Sequence, residues 1–312
     1  MKLDFLKDSR QITRAIWVVF ALILIVLIVF AGYYYWDRYV YLDDRNPLEI
    51  GILNLEEQVR TDPDSLEARL ALAEGYFRDQ QYPQAIAQAQ QVLDVYPGSE
   101  RAQFILGMAY TFSGDAGAGV AALEEFTGER RNSSMAKSDM TLQASLYYLG
   151  EGYLALGRPE DAISALTEAL DISPTDADAL YQLGNAYLGV GKCDIAIESY
   201  THAVSFVPDF VEAYQGLEQC YKKLDMAGHV HFAGGMVAYS MKEYSEALID
   251  LEHATQVLPN FGPAFVGLGL VQEELGELDA AITSLERALD LDPDSFLASN
   301  SLQRIQLVQS NQ

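Results

Sequence analysis

Positive charge, cysteine and histidine are scarce in this 312-residue chain: 20 Lys and Arg against 45 Asp and Glu, two Cys and four His, for a formal net charge of −25. So few cations exclude a phosphate-backbone ligand, because counterion release needs a basic face; no nucleic acid is expected as a partner. Two cysteines cannot build a disulfide framework. The histidines offer no chelate. His229 and His231 on one helix point about 200° apart (at roughly 100° per residue), and His202 and His253 fall on outer faces of second helices. No nucleophile, base and orienting group share a recognisable pattern, so no catalytic residues, no metal and no cofactor are expected. LGVGKC at 188–193 imitates part of a phosphate loop, but Ala186 stands where that loop needs glycine.

The apolar residues, in contrast, are crowded near the start. Residues 15–36, AIWVVFALILIVLIVFAGYYYW, carry no charge. At the helical rise this run covers about 33 Å, enough for a hydrocarbon core of about 30 Å. Trp17 at one end and Tyr33, Tyr34, Tyr35 and Trp36 at the other match interfacial aromatic belts. The run is too long for the core of a cleaved leader and is followed by bulky aromatics. It predicts one uncleaved transmembrane helix at 15–36, a cytoplasmic tail at 1–14 and a juxtamembrane linker at 37–49. Lys2, Lys7, Arg10 and Arg14 precede the run while Arg38 and Arg45 follow it. The positive-inside rule then leaves the N-terminus in the cytoplasm and the remainder outside it. Residues 1–14 sum to +2, which leaves −27 on everything beyond.

Six of the ten prolines keep phase. Pro63, Pro97, Pro174, Pro208, Pro259 and Pro293 are spaced by 34, 77, 34, 51 and 34, where 77 is 34 with 43 and 51 is 34 with 17. A period of 34 is that of a helix–turn–helix unit that stacks. Within 177–210, LGNAY is followed by a turn at Gly191, then Ala196, Tyr200, Ala203 and Pro208. LGEGY (149–153) with Gly157, Ala162, Leu166, Ala169 and Pro174 repeats it, as does LGL (268–270) with Gly276, Ala281, Leu285, Ala288 and Pro293. Looser copies are LAEGY (72–76) with Ala85 and Pro97, and LGMAY (106–110) with Gly119 and Leu123. Small residues at the eighth position (Ala73, Gly107, Gly150, Gly184, Gly235, Gly269) let two helices approach closely. Tyrosines at the eleventh fill the space left, proline ends the second helix, and Asp64–Ser65, Thr175–Asp176 and Asp294–Ser295 cap the next one.

The pattern resembles the tetratricopeptide repeat (TPR) family over nearly all of residues 50–309. The resemblance implies an all-α, right-handed superhelical solenoid of antiparallel helix pairs, here preceded by one N-terminal transmembrane helix, with no catalytic residues of its own. Two departures stand out. The stretch 127–141 (TGERRNSSMAKSDMT) adds nine residues and is locally basic through Arg130, Arg131 and Lys137; it reads as an exposed inter-helix loop or a docking point for an acidic neighbour. Between Pro208 and Pro259 lie 17 extra residues, one odd helix at about 227–240 with Gly234–Gly235. This predicts an N-terminal sub-solenoid at 50–208 and a C-terminal one at 211–309, closed by a capping helix at about 295–309.

In this family the first helix of each unit lines the concave face. Carried over unit by unit, the exposed groove positions are Phe104, Met108 and Phe112, then Tyr147 and Leu154, then Tyr181, Asn185 and Leu188. Phe232, Met236 and Tyr239 follow on the odd helix, and Val266 and Leu270 on the last unit. Glu67, Glu74, Glu151, Asp178 and Glu212 stand near the edges. The fifth and ninth positions supply no cationic clamp for an acidic C-terminal tail. Such an apolar and aromatic groove suits protein or peptide partners. The whole reads as a membrane-tethered scaffold or adaptor of the cell envelope, single-pass through 15–36, with oligomerisation open. The alternatives are an adaptor facing the cytoplasm and a fixed subunit of a larger membrane complex. Cys193 and Cys220 lie on neighbouring helices and read as buried free thiols, or as a disulfide outside the cytoplasm.

Overall fold

The computed structural model describes residues 9–35 and 46–310. Among these, every regular element is helical. The tail at 1–8, Trp36 and most of the linker (37–45) lie outside the described residues. The chain divides into two compact units, residues 1–105 and 106–312, and the division falls inside one helix.

The first unit begins with α1 (Ser9–Tyr35), which contains the apolar run almost entire. Every described side chain between Trp17 and Tyr34 is exposed, so this helix covers no core of its own. α2 (Pro47–Thr61) opens earlier than residue 50 because Asn46 caps it, accepting from the N–H groups of Leu48 and Glu49, with proline at the first helical position. α3 (Leu66–Arg78) and α4 (Tyr82–Val95) follow as a pair around Leu70, Leu72, Ala73, Ala85, Ala89 and Val92. α5 (Glu100–Phe112) runs across the division.

The second unit continues with α6 (Ala116–Arg130), α7 (Met140–Ala155), α8 (Pro159–Ile172), α9 (Ala177–Gly189) and α10 (Cys193–Phe206). Then come α11 (Val211–Lys223), α12 (Ala227–Ser240), α13 (Tyr244–Val257), α14 (Gly262–Glu274), α15 (Leu278–Leu291) and α16 (Phe296–Ser310). Each helix packs on its successor from α6 to α16, and α7–α8, α9–α10, α12–α13 and α14–α15 are the most extensive pairings.

The repeated letters carry out their expected work. Helices α2, α4, α8, α10, α13 and α15 each end two residues before one of the six phased prolines. Ser65, Asp176 and Ser295 accept from the N–H groups of Ala68, Ala179 and Ala298. Close approach at the eighth position is shown by what a methyl group there would strike. At Gly107, Gly150, Gly184, Gly235 and Gly269 it would come within 2.5–2.7 Å of Leu123, Leu166, Tyr200, Leu251 and Leu285. Those five partners are fully buried, each contributing about 1.5–3 kcal/mol by burial.

Two kinds of turn alternate. The phased prolines mark one. The other carries a residue in the left-handed region: Gln80, Gly114, Gly157, Gly191, Asp225, Lys242 and Gly276, with φ between 54° and 87°. This second kind joins the first helix of a pair to the second. It occurs on both sides of α12, at Asp225 and at Lys242, so α12 is the second helix of one pair and the first of the next. Gly234 and Gly235 divide the labour. A methyl group on Gly234 would lie between Asp250 of α13 at 3.5 Å and Glu218 of α11 at 3.7 Å, while one on Gly235 would close on Leu251 of α13 at 2.7 Å. One helix shared by two pairs accounts for the 17 extra residues.

The nine-residue insertion is folded rather than open. Arg130 pairs with Asp139 at 2.7 Å and lies over the Phe126 ring, while Arg131 pairs with Glu168 at 2.7 Å. Both arginines of the locally basic stretch are therefore neutralised within the chain, and the expected docking point for an acidic neighbour keeps only Lys137 of its three cations.

Candidate functional site

The expected groove residues sort by burial. Phe112 is exposed, and Tyr147, Leu154, Tyr181, Asn185, Leu188, Tyr239 and Val266 are half-buried. Met108, Phe232, Met236 and Leu270 are only 3–7% exposed, so most of each side chain is covered by neighbouring helices. Met108, Met236 and Leu270 each follow an eighth-position glycine, where two helices close on one another, and Phe232 packs against the rings of Tyr214 and Phe261. Phe104, half-buried, belongs to the first unit.

In the first unit the acidic edge is occupied by a cation that the fifth and ninth positions did not reveal. Arg101 of α5 reaches Glu67 at 2.9 Å and Glu74 at 2.6 Å. The Arg101 guanidinium, against the opposing push of burial, holds the Glu74 carboxyl below its ordinary range.

In the second unit the first helices α7 and α9 form a mixed aromatic and polar surface. The rings of Phe112 and Tyr148 lie 5.3 Å apart, and those of Tyr147 and Tyr148 lie 5.0 Å apart. Beside them runs a ladder of hydrogen bonds. The Tyr147 hydroxyl donates to Glu151 at 3.1 Å, Gln182 Nε2 donates to the same carboxylate at 2.9 Å, Asn185 Nδ2 donates to Gln182 at 3.0 Å and the Tyr200 hydroxyl donates to Asn185 at 2.7 Å. Burial raises the Glu151 carboxyl above its ordinary range, with the two hydrogen bonds acting against it. Tyr147 and Asn185 are thus braced from within. Tyr148 and Gln182, which sequence reasoning missed, both occupy the sixth position of their units; a ring and an amide at matching places were the available signal.

Around the shared helix the surface changes character. α10, α11, α12, α14 and the corner between α15 and α16 enclose a half-open cleft of about 540 Å³. Of the expected groove residues it brings together Phe232, Met236 and Val266. Five rings follow one another along it: Tyr214 to Phe232 at 6.2 Å, Phe232 to Phe261 at 5.0 Å, Phe261 to His229 at 4.9 Å and His229 to Tyr221 at 5.0 Å. Burial lowers the His229 imidazole below its ordinary value, so the ring is uncharged at neutral pH. Sequence reasoning set His229 aside as a poor metal ligand; its place between two rings could be read only once α11 and the start of α14 were brought together. His231 turns away to Asp250, at 2.8 Å. Cys193 and Cys220 are buried free thiols on α10 and α11.

Comparison with known proteins now bears on this geometry. TPR family models match residues 70–134, 150–191, 177–210 and 262–295. No curated protein matches the chain. Among solved structures, a MamA RS-1 ArsTM double mutant is similar at 19% identity over 58% of this chain and 96% of its own, with a TM-score of 0.52. A crystal structure of MamA protein shares 23% identity over 62% of this chain and 96% of its own, TM-score 0.46. YrrB, described as a TPR protein with an unusual peptide-binding site, shares 14% identity over 80% of this chain and 97% of its own, TM-score 0.43. At 19% identity the first of these is a likeness of fold alone. Phased prolines, paired helices that close on small residues, and matching family models lead to one conclusion: the chain belongs to the tetratricopeptide-repeat family.

Proposed function

We propose that this protein is a membrane-tethered scaffold whose first-helix face captures protein or peptide partners. The observation that carries the reading is the cluster of Phe112, Tyr147 and Tyr148 rings on a repeat architecture whose members bind proteins. Rings that are rigid and only partly covered lose little entropy on ordering and supply large contact area, as binding anchors require. The apolar helix α1 supports tethering, with residues 15–36 crossing the bilayer, the N-terminus cytoplasmic and the repeats outside. Confinement to the membrane plane raises the effective concentration of the face near membrane-bound partners. The division into a sub-solenoid at 50–208 and another at 211–309 belongs to the same reading, with the shared helix just past their junction.

A photo-crosslinking residue placed at Phe112 in native membranes should capture a discrete partner, whereas the same residue at exposed Ser164 on α8 should not. Equal capture from both positions would remove the case for this face. Adding Phe112→Arg should reduce capture from a crosslinker at Leu154 at least about tenfold, the loss of roughly 1.4 kcal/mol or more.

A further inference from the structure

The cleft around the shared helix has a composition unlike the α7–α9 face. Its walls are aromatic and aliphatic, with Ile197 on α10 opposite Val266 on α14. Among the described residues its charged lining is Asp194 and Asp292, and neither lysine nor arginine lines it. His229 is held neutral by burial, and burial pushes the Tyr221 hydroxyl up to about 12, so the rings add no charge of their own. A cavity of about 540 Å³ falls within the range of about 300–1,000 Å³ typical of ligand pockets.

The chemistry selects its occupant. Neutral ring faces attract cations through their quadrupoles, and two carboxylates at the rim favour the same sign. An anionic apolar chain would meet those carboxylates and a protein that sums to −27 beyond its first 14 residues. A Lys or Arg residue can lay its methylene stem on apolar surface while its charged head reaches the carboxylates. A peptide can offer such a cation next to an apolar anchor for the rings.

We infer that this cleft is a second peptide site, distinct from the α7–α9 face, and that it takes a segment carrying a bulky apolar anchor flanked by Lys or Arg. The inference rests on the reading of the protein as a binding scaffold and adds a ligand class to it. The cleft exists because α12 serves two pairs: α10 and α11 on one side and α12 and α14 on the other face one space.

The test uses the full chain in lipid nanodiscs and three fluorescent twelve-residue probes. One has a Leu-Phe anchor with Lys flanks, one the same anchor with Glu flanks, and one Lys flanks around Ser-Ser. Anisotropy titration should show the first binding at least about tenfold tighter than either other. Ile197→Trp and Val266→Trp, filling the cleft from opposite walls, should each weaken it at least about tenfold while the helical circular dichroism and the unfolding midpoint stay unchanged. Asp194→Lys combined with Asp292→Lys should transfer the preference to the Glu-flanked probe. Equal binding of Lys- and Glu-flanked probes, or affinity untouched by both wall variants, overturns the inference. So does displacement of Nile red from the cleft by none of the probes, which would mark it as a site for a small apolar molecule. Binding lost in Phe112→Arg but kept in both wall variants would also overturn it, and would leave the scaffold reading in place. That reading falls separately, with its own crosslinking result.

Discussion

At the scale of single residues, Tyr200 governs the packing between α9, α10 and α11. Its side chain is fully buried, and its ring lies against two glycines at once. A methyl group on Gly184 would come within 2.5 Å of it, and one on Gly216 within 2.4 Å. The Gly184 contact was legible because it repeats at the eighth position. Gly216 sits at the sixth position of its unit, which the last unit also fills with glycine, at Gly267, so the signal for it was one matching pair rather than a run through the repeats. Gly216→Ala must displace a ring whose hydroxyl is held by Asn185, at a cost of about 1–3 kcal/mol. A urea titration followed by circular dichroism should show the midpoint falling while the slope stays the same; an unchanged midpoint would mean the ring has somewhere to move.

At the scale of elements, the shared helix and the folded insertion deviate most from the simple period, and each makes a prediction. Lys242 and Asp225 adopt the left-handed conformation that glycine fills in four equivalent turns. Lysine has no side-chain hydrogen bond suited to that region, whereas aspartate tolerates it better. Lys242→Gly should therefore stabilise by about 0.5–1 kcal/mol, the relief of strain exceeding the added freedom of the unfolded chain. The same change at exposed Lys223, the last residue of α11, removes the same charge from a helical position and should not stabilise, so the pair of melts separates conformation from charge. In the insertion, Asp139 caps α7 and grips Arg130. Burial alone would raise its carboxyl, but the Leu142 N–H, Arg130 and the Thr141 N–H outweigh it and hold the group below the ordinary carboxylate range. A carboxyl lowered by folding stabilises at every pH above its unfolded value, and that contribution is lost as pH falls through the lowered one. Hydrogen-exchange protection in residues 131–142, taken relative to the intrinsic rate at each pH, should fall below about pH 4, the ordinary Asp range, and Asp139→Ala should show the lower protection already at pH 7. The insertion was legible as extra length and as polar residues. Its ion pairs were not, because Arg131 finds Glu168 37 residues away and no local pattern connects them.

At the scale of the whole molecule, the distribution of charge and apolar surface sets behaviour. The exposed apolar side chains of α1 have no protein surface to cover within the described residues, while the repeats carry nearly all the acidic residues. Full-length chain should partition into the detergent phase on Triton X-114 separation, and a chain begun at Asn46 should stay in the aqueous phase with its helical signal retained. Aqueous partition of the full-length chain would refute the tether. The stacked architecture was readable from proline phase, small residues and tyrosines, since those letters report contacts inside one period. The cleft and the hydrogen-bond ladder depend on side chains from successive periods meeting, so they became visible only in three dimensions.

The sharing of α12 has a consequence for directionality. In a regular stack every first helix points the same way, so a bound strand meets each unit with the same sense. A left-handed turn on either side of α12 makes that helix run opposite to α11, and α14 follows α12. The first helices before and after the shared one therefore have opposed N-to-C polarity, and their terminal partial charges are exchanged end for end. A ligand read from its N-terminus along α7 and α9 would have to be read from its C-terminus along α12 and α14. Two separate segments, or one that doubles back, suit such a surface better than a single extended strand.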